Sequence, residues 1–283
     1  MNCDLHNHSI FSDGTDTPEE LICLAEEAGL EAVALTDHNS VDGLPRFLAA
    51  AEHSPVQAVP GIEFSTGWMD GELHILALFV REQDYEKVRT IAAEPDRLKR
   101  ESNIALAAAL NQAGYRIDYA AMEAATPTGR VNRSQFGDAL LAAGYVKTKQ
   151  EAFETLLNEK GPYYKLPQRL PALDTIRFIR SIGAVAVLAH PFFKHTEAQI
   201  REFLDQAVPA GLDGMETIYA TYDEETTRLA FRVAEEYHLL PSGGSDYHGK
   251  AKKDIAMGVG RGNLAIPAEY FRAFAALAAN RQG

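Results

Sequence analysis

The sequence predicts an α/β fold, either a parallel barrel or an open α/β sheet, interrupted by an all-helical insertion. Three observations carry that expectation. Short apolar strands alternate with helices towards both ends of the chain, the pattern of parallel β-α units with right-handed crossovers. The alternation breaks near Glu94-Pro95, and residues 96–167 contain no apolar strand. Histidines and carboxylates recur where apolar strands run out, and in a parallel barrel or open sheet those ends form one face.

In chain order, a short apolar start leads into Asp4-Leu5-His6-Asn7-His8-Ser9, with Asp13 five positions after His8. Residues two apart in a strand point to the same side, so His6 and His8 aim two imidazoles at one point. Residues 18–30 are expected to be helical. Thr17 can cap them, Pro18 suits the first turn, Glu19 and Glu20 favour the positive end of the dipole, and Gly29 ends the helix. The buried strand Ala32-Val33-Ala34-Leu35 runs straight into Thr36-Asp37-His38-Asn39, and a helix over 42–52 follows. A third strand over 56–59 leads to Pro60-Gly61-Ile62-Glu63, and residues 73–80 continue the sheet with His74 near the start.

Within the insertion, helices are expected near 96–113, 118–125, 134–143 and 149–158, separated by Gly114, a turn over 126–129, and Gly144. A helix over 172–182 and a strand over 184–189 follow, the strand ending in His190-Pro191. Then come a helix over 197–206, a strand over 212–217 carrying Glu216, and a helix over 223–237. An apolar lead into Gly243-Gly244-Ser245-Asp246-Tyr247-His248 and a closing helix over 267–279 complete the chain. The expected domains are a barrel built from 1–94 and 168–283, and a helical insertion over 95–167. An insertion on a barrel loop is a usual place for substrate contacts.

At 283 residues the chain is long enough for one large α/β domain with an insertion. No apolar run approaches the ~20 residues that span a bilayer, and no basic stretch followed by an apolar core opens the sequence. Cys3 and Cys23 are the only cysteines and form no CxxC pair, which fits a reducing cytoplasm. A formal net charge of −13 disfavours long duplex nucleic acid, which is bound through Lys and Arg. It leaves room for a small anionic substrate, because two or three divalent cations reverse the field inside a site.

The candidate ligands are His6, His8, Asp13, His38, Glu63, His74, His190, Asp246 and His248, which take six of the nine histidines. Any one alone would suit a structural role; together they suit a metal centre. Nine side chains exceed one tetrahedral ion and suit two or three ions of Mn, Fe or Zn, with Glu63 as a bridge. Asp37 is expected to orient a ligand, and Glu216 suits either role. His53 and His238 end helices and are expected at the surface. His195 follows Pro191-Phe192-Phe193-Lys194 closely enough to approach the site. Tyr247, between two candidate ligands, is expected to point away.

These residues resemble the polymerase and histidinol phosphatase (PHP) family. The matching motifs are Asp4-Leu5-His6-Asn7-His8-Ser9 with Ser12-Asp13-Gly14, Thr36-Asp37-His38, Gly61-Ile62-Glu63, His74, His190-Pro191 and Ser245-Asp246-Tyr247-His248. The resemblance spans the chain apart from the insertion. It implies a distorted (β/α)7 barrel with a two- or three-metal site at the C-terminal ends of the strands. Carried onto this chain, it implies one ion on His6, His8, Glu63 and Asp246, a second on Glu63, His74 and His190, and a third on Asp13, His38 and His248. Asp13 stands where some members have histidine. The insertion after His74 is similar to that of stand-alone nucleotide phosphoesterases, which remove the 3′-phosphate from 3′,5′-bisphosphonucleotides or trim short RNA from its 5′ end. Their Arg-x-His has Arg130-Val131-Asn132 as its counterpart, so Arg130 fits and Asn132 replaces the histidine.

The expected activity is therefore metal-dependent hydrolysis of a phosphate ester on a nucleotide or short oligonucleotide. Arg130 would grip a phosphate through its planar fork of donors. Asn132, Arg133 and His195 are further substrate-binding candidates, with Lys165 and Lys194 behind them. His190 or His248 would protonate the leaving oxygen. Two other readings use the same residues. One keeps the ions and hydrolyses a carbonyl substrate, as an amidohydrolase or esterase does. The other is a non-catalytic metal-binding module, of the kind PHP domains form on polymerases.

Overall fold

The computed structural model describes residues 1–69, 71–126, 129–165 and 169–283. The chain divides into two compact units, Met1–Ala92 with Leu170–Gly283, and Ala93–Arg169.

The first unit opens with β1 (Asn2–Asp4), α1 (Pro18–Glu27), β2 (Leu30–Leu35), α2 (Leu44–Ala51), β3 (Gln57–Trp68) and β4 (Gly71–Leu78). A 3-10 turn at Glu82–Asp84 leads into α3 (Tyr85–Gln112). The second unit holds the rest of that helix, α4 (Tyr119–Ala125), α5 (Arg133–Ala142) and α6 (Lys149–Thr155). The first unit resumes with β5 (Leu170–Pro171), α7 (Ala172–Ser181), β6 (Val185–Ala189), α8 (Glu197–Ala210), β7 (Gly214–Tyr219), α9 (Glu224–Glu236), β8 (Leu240–Gly244) and α10 (Ala268–Gln282).

The strands follow one another in the order β1-β2-β3-β4-β6-β7-β8, with the short β5 paired to β3. Leu5 N donates to Gly243 O at 3.1 Å, His8 N to Tyr247 O at 2.9 Å, and Asp246 N to His6 O at 3.0 Å, which brings the first and last strands together. The result is a nearly closed, distorted α/β barrel.

β4 departs from the expected run of parallel units, being antiparallel to both β3 and β6. Only positions 69 and 70 separate it from β3. A link that short joins antiparallel strands, whereas a parallel pair needs a crossover. β3 also runs well past the expected 56–59. Its first part pairs parallel with β2 up to Leu35↔Pro60, and its second part pairs antiparallel with β4 from Gly61↔Leu78 to Trp68↔Gly71. Glu63 thus lies inside a strand and not after one.

Side chains alternate across the sheet as a period of two requires. Ala32 and Ala34 pack with Leu5, Val185, Val187 and Phe274, while Val33, Leu35, Ala186 and Leu188 pack on the other side with Leu21, Phe47, Ile176 and Phe203. Strands covered on both faces are apolar throughout. α1 begins with a complete capping box: Glu20 N donates to Thr17 Oγ1 at 3.2 Å, and Thr17 N donates back to Glu20 Oε2 at 2.7 Å.

The helix expected near 96–113 starts earlier, since α3 begins at Tyr85 and contains Pro95. The second unit has its own core, with Leu106, Leu110, Phe136, Leu140 and Leu157 fully or almost fully buried. Among its described residues there is no strand. Positions 127 and 128 of the expected turn lie outside the described residues, as do 166–168.

Candidate metal centre

The nine candidate ligands arrive from six strands. His6 and His8 follow β1, and His38 follows β2. Glu63 lies in β3 where β2 has just ended, bridged to His38 through the backbone. His74 stands near the start of β4, opposite Ala189, the last residue of β6. Because β4 runs backwards, its beginning lies where the parallel strands finish. That is why a histidine early in a strand joins others that come late. His190 follows β6, and Asp246 and His248 follow β8. His190 (φ 30°, ψ 52°) and Asp246 (φ 54°) both adopt left-handed backbone. Such strain costs of order 1–3 kcal/mol per residue and collects at functional sites.

Five imidazoles meet the Glu63 carboxylate. Its Oε1 lies 2.7 Å from His74 Nδ1 and 3.1 Å from His190 Nε2. Its Oε2 lies 3.2 Å from His6 Nε2, 3.2 Å from His8 Nε2 and 3.0 Å from His38 Nδ1. Asp246 Oδ1 stands 3.3 Å from His8 Nε2 and 3.4 Å from His248 Nδ1. Asp13 Oδ1 stands 3.2 Å from His248 Nε2 and 3.9 Å from His8 Nδ1.

A surrounding layer holds these groups. Glu216 Oε1 is 2.9 Å from His6 Nδ1, and Glu216 Oε2 accepts from the His190 backbone N–H at 2.6 Å. Asp37 accepts from Ser9 N (2.8 Å), Ser9 Oγ (2.7 Å) and Ser12 Oγ (2.6 Å), and so fixes the turn between His8 and Asp13. Tyr247 points away and donates to Asp16 Oδ2 at 2.5 Å. His53 and His238 are exposed. Three contacts carried no sequence signal. Glu72 Oε1 is 3.3 Å from His74 Nε2, and Asp246 Oδ2 accepts from Tyr219 Oη at 2.7 Å and Lys252 Nζ at 2.6 Å. Only their strand-end or loop placement hints at them.

The electrostatics follow from packing acids among imidazoles. Burial opposes ionisation of Glu63, yet His38, His6 and His74 outweigh it and hold the carboxyl well below its usual range. Asp13 and Asp246 are likewise held low against their burial by neighbouring imidazoles. Burial also opposes charge on His8 and His74, but the carboxylates prevail, raising His8 to about 9 and His74 to about 10. Burial prevails for His190 and His248, which are pushed down. These directions belong to the protein without bound ions.

The donor set fits divalent cations. Glu63 Oε2 is buried and makes no hydrogen bond, although three imidazole nitrogens crowd it. The Nε2 atoms of His6 and His8 face each other at 3.0 Å, an arrangement that a shared cation satisfies. Four groups have donor atoms within 4.8 Å of one another: His8, Asp13, His38 and His248; His6, Glu63 and His190; His6, His8 and Asp246; His38, Glu63 and His74. Mixed imidazole and carboxylate donors suit Zn, Fe and Mn.

The substrate-binding candidates have varied surroundings. His195 Nε2 lies 2.8 Å from the Glu72 carbonyl. In the second unit, Asn132 caps α5 by accepting from Gln135 N at 3.0 Å. Arg133 lies over the Tyr164 ring at 4.6 Å and donates to Glu159 at 3.2 Å. Arg130 lines a cavity of about 430 Å³ with Arg97, Arg100 and Tyr119. There Arg97 pairs with Glu94 and Glu101, and Arg100 with Glu123, all at 2.6 Å.

Fold and site together define a metal-dependent phosphoesterase, a hydrolytic enzyme on a TIM-like barrel. The PHP domain model matches residues 4–156, and the chain belongs to the PHP family. A phosphoribosyl 1,2-cyclic phosphate 1,2-diphosphodiesterase from Eggerthella lenta is 30% identical, over 87% of this chain and 94% of the relative. A 3′,5′-nucleoside bisphosphate phosphatase from Chromobacterium violaceum is 28% identical over 90% of both. A 5′-3′ exoribonuclease from Haemophilus influenzae is 27% identical over 87% and 89%. Among solved structures, an amidohydrolase from Chromobacterium violaceum with bound sulfate and no metal superposes with a TM-score of 0.83, at 26% identity over 98% and 97%. One assigned as a metal-dependent phosphoesterase from Bifidobacterium adolescentis gives 0.79, at 27% identity over 97% and 96%.

Proposed function

We propose that the chain removes the 3′-phosphate from a 3′,5′-bisphosphonucleotide or trims a short oligonucleotide, using two or three Mn, Fe or Zn ions. The observation that carries this reading is the Glu63 carboxylate, with five imidazole nitrogens within 3.2 Å of its two oxygens. In this reading His6, His8, Glu63 and Asp246 would hold one ion, Glu63, His74 and His190 a second, and Asp13, His38 and His248 a third. Bound divalent ions would supply a water acidified towards neutral pH and offset the charge on the phosphate. The substrate class is supported by relatives named for phosphoester hydrolysis of nucleotides and RNA.

The chain's own groups have distinct tasks. Glu216 and Asp37 hold the first imidazoles and the Ser9–Ser12 turn in place. Arg130 grips a phosphate oxygen pair. His190 or His248, whichever keeps a ring nitrogen off the ions, returns a proton to the leaving oxygen; the His190 side chain is 15% exposed and that of His248 4%. No helix of the described chain is long and apolar enough to cross a membrane, and a cytoplasmic setting fits the reduced cysteines.

Phosphate release from adenosine 3′,5′-bisphosphate, with AMP and p-nitrophenyl phosphate alongside, tests the reading. Release should need Mn²⁺, stop on chelation, be fastest with the bisphosphate and fall strongly in Arg130→Ala. Absence of release from all three, with metal shown to be bound, would overturn the bisphosphonucleotide reading and make short RNA the next substrate to test.

A further inference from the structure

Asp246 presents two unlike oxygens. Oδ1 faces the imidazoles of His8 and His248 at 3.3 and 3.4 Å, and His6 Nε2 at 3.7 Å. Oδ2 faces the opposite way and takes two donors, Tyr219 O–H at 2.7 Å and the Lys252 ammonium at 2.6 Å. The donors come from separate elements. Tyr219 ends β7, and Lys252 ends a 3-10 turn at Gly249–Lys252. Asp246 itself has left-handed backbone, and its N–H is bonded to the His6 carbonyl at 3.0 Å, so the carboxylate has little freedom except rotation about its own side chain. Turning it would give up a phenol bond in a site where Tyr219 is 4% exposed and Asp246 5% exposed. An unmade buried bond of that kind is strongly disfavoured.

We propose that Tyr219 and Lys252 are positioning residues that clamp Oδ2 of Asp246, so that Asp246 offers the metal centre one oxygen in one fixed direction. Their polar ends bond Oδ2 and no imidazole, although the Tyr219 ring lies 5.3 Å from that of His190. Their part is to stop the carboxylate from chelating through both oxygens and to hold Oδ1 at the shared position of His6 and His8. Groups that orient a ligand typically alter metal affinity or activity by 10–100-fold when removed. The Lys252 side chain is 35% exposed and that of Asp246 7%, and without the ammonium the carboxylate still faces the Tyr219 hydroxyl and the imidazoles of His6, His8 and His248. Loss of stability and loss of positioning can therefore be told apart. The inference rests on Asp246 being a ligand.

The test is Mn²⁺ binding by calorimetry on the whole protein, with no substrate present. The variants are Tyr219→Phe, which keeps the ring, Lys252→Met, which keeps the stem, Lys252→Arg, and Asp246→Ala as reference. Asp246→Ala should lose one Mn²⁺ step. Tyr219→Phe and Lys252→Met should each weaken that same step about 10–100-fold. Lys252→Arg should recover most of the loss, and the melting temperature of chelated Lys252→Met should stay near that of the parent. Wild-type affinity, or tighter binding, in both Tyr219→Phe and Lys252→Met while Asp246→Ala loses its ion would overturn the clamp. Full Mn²⁺ binding by Asp246→Ala would overturn the ligand assignment beneath it. Neither result depends on which phosphate ester is hydrolysed.

Discussion

Glu216 and His6 lie 210 positions apart in the chain, and Glu216 Oε1 sits 2.9 Å from His6 Nδ1. A carboxylate only accepts, so His6 Nδ1 donates to it, which would leave Nε2 as the lone pair for a bound ion. The other Glu216 oxygen accepts from the His190 backbone and steadies its left-handed turn. Glu216, which suits either role from sequence, therefore lies behind the imidazoles.

Glu216→Gln keeps the shape and removes the charge. Mn²⁺ affinity should fall about 10–100-fold, measured by calorimetry, with the circular dichroism of the folded protein unchanged. An affinity equal to that of the parent would count against this orienting role.

Glu63→Ala removes the one negative group that five imidazoles share. Metal content by atomic emission should drop by more than one ion. Phosphoesterase turnover should fall by at least the roughly 10²–10³-fold seen when one preorganised charge-stabilising group is lost. A variant that keeps both its ions and its rate would remove Glu63 from the centre.

Without bound ions, stability should depend on pH in a definite direction. His8 and His74 are raised from 6.5 to about 9 and about 10, so between those values the folded chain binds more protons than the unfolded one. Their contribution is complete below about pH 6.5 and is lost as pH rises through 9 to 10. Asp13, Glu63 and Asp246 are lowered, so theirs is present above the ordinary carboxylate range and is lost in acid. Urea melts in EDTA should show declining stability from pH 7 to pH 10, and saturating Mn²⁺ should offset the decline. Stability that rises over that interval in EDTA would contradict the charge balance.

Gly249 has φ +62°, and a Cβ built on it would collide with Thr15 Oγ1 and Asp16 Oδ2. Its neighbour Lys250 N donates to Thr15 Oγ1 at 2.8 Å, so the segment after His248 is docked on the segment after Asp13. Gly249→Ala should cost about 1–3 kcal/mol and weaken the ion position served by Asp13 and His248. Differential scanning fluorimetry with and without Mn²⁺ reads both. An unchanged melting point would show that the two segments separate freely.

The two cysteines should differ in reactivity. Burial pushes the Cys3 thiol up to about 12, whereas Cys23 is exposed. Ellman's reagent should label Cys23 alone in the folded protein and both residues in denaturant. Labelling of Cys3 under native conditions would mean that β1 opens readily.

Much of the centre was legible because metal ligation restricts side-chain types to a few that are uncommon together. His6, His8, His38, His190, Asp246 and His248 each stand just beyond an apolar run, and the barrel rule joins such positions. Glu63 was expected after a strand and lies inside one, and His74 was rightly expected near a strand start, but in a strand whose reversed direction the sequence does not show. The 56–59 strand continues through Glu63 to Trp68, and β4 turns back on it. Apolar periodicity says that a strand exists but not which way it runs. Tyr219, Lys252 and Glu72 were missed because their roles depend on a partner across the barrel, and tyrosine, lysine and glutamate are ordinary surface residues in sequence. The start of α3 shows the same limit locally, since the helix expected near 96–113 begins at Tyr85 with Pro95 inside it.

The backbone bonds from Leu5 and His8 to Gly243 and Tyr247 have a consequence for biosynthesis. A ribosome emits His6 and His8 long before Asp246, by roughly 10–50 s at ordinary elongation rates. During that interval β1 has no β8 to lean on, and His6 lacks both Glu216 and Asp246. Until β8 has been made, the nascent chain carries loose imidazoles and no finished cage, so the full ligand set forms late in synthesis. Translation arrest before β8 would leave a product that binds ions weakly and exposes an unpaired strand edge, the kind of surface that quality-control factors engage.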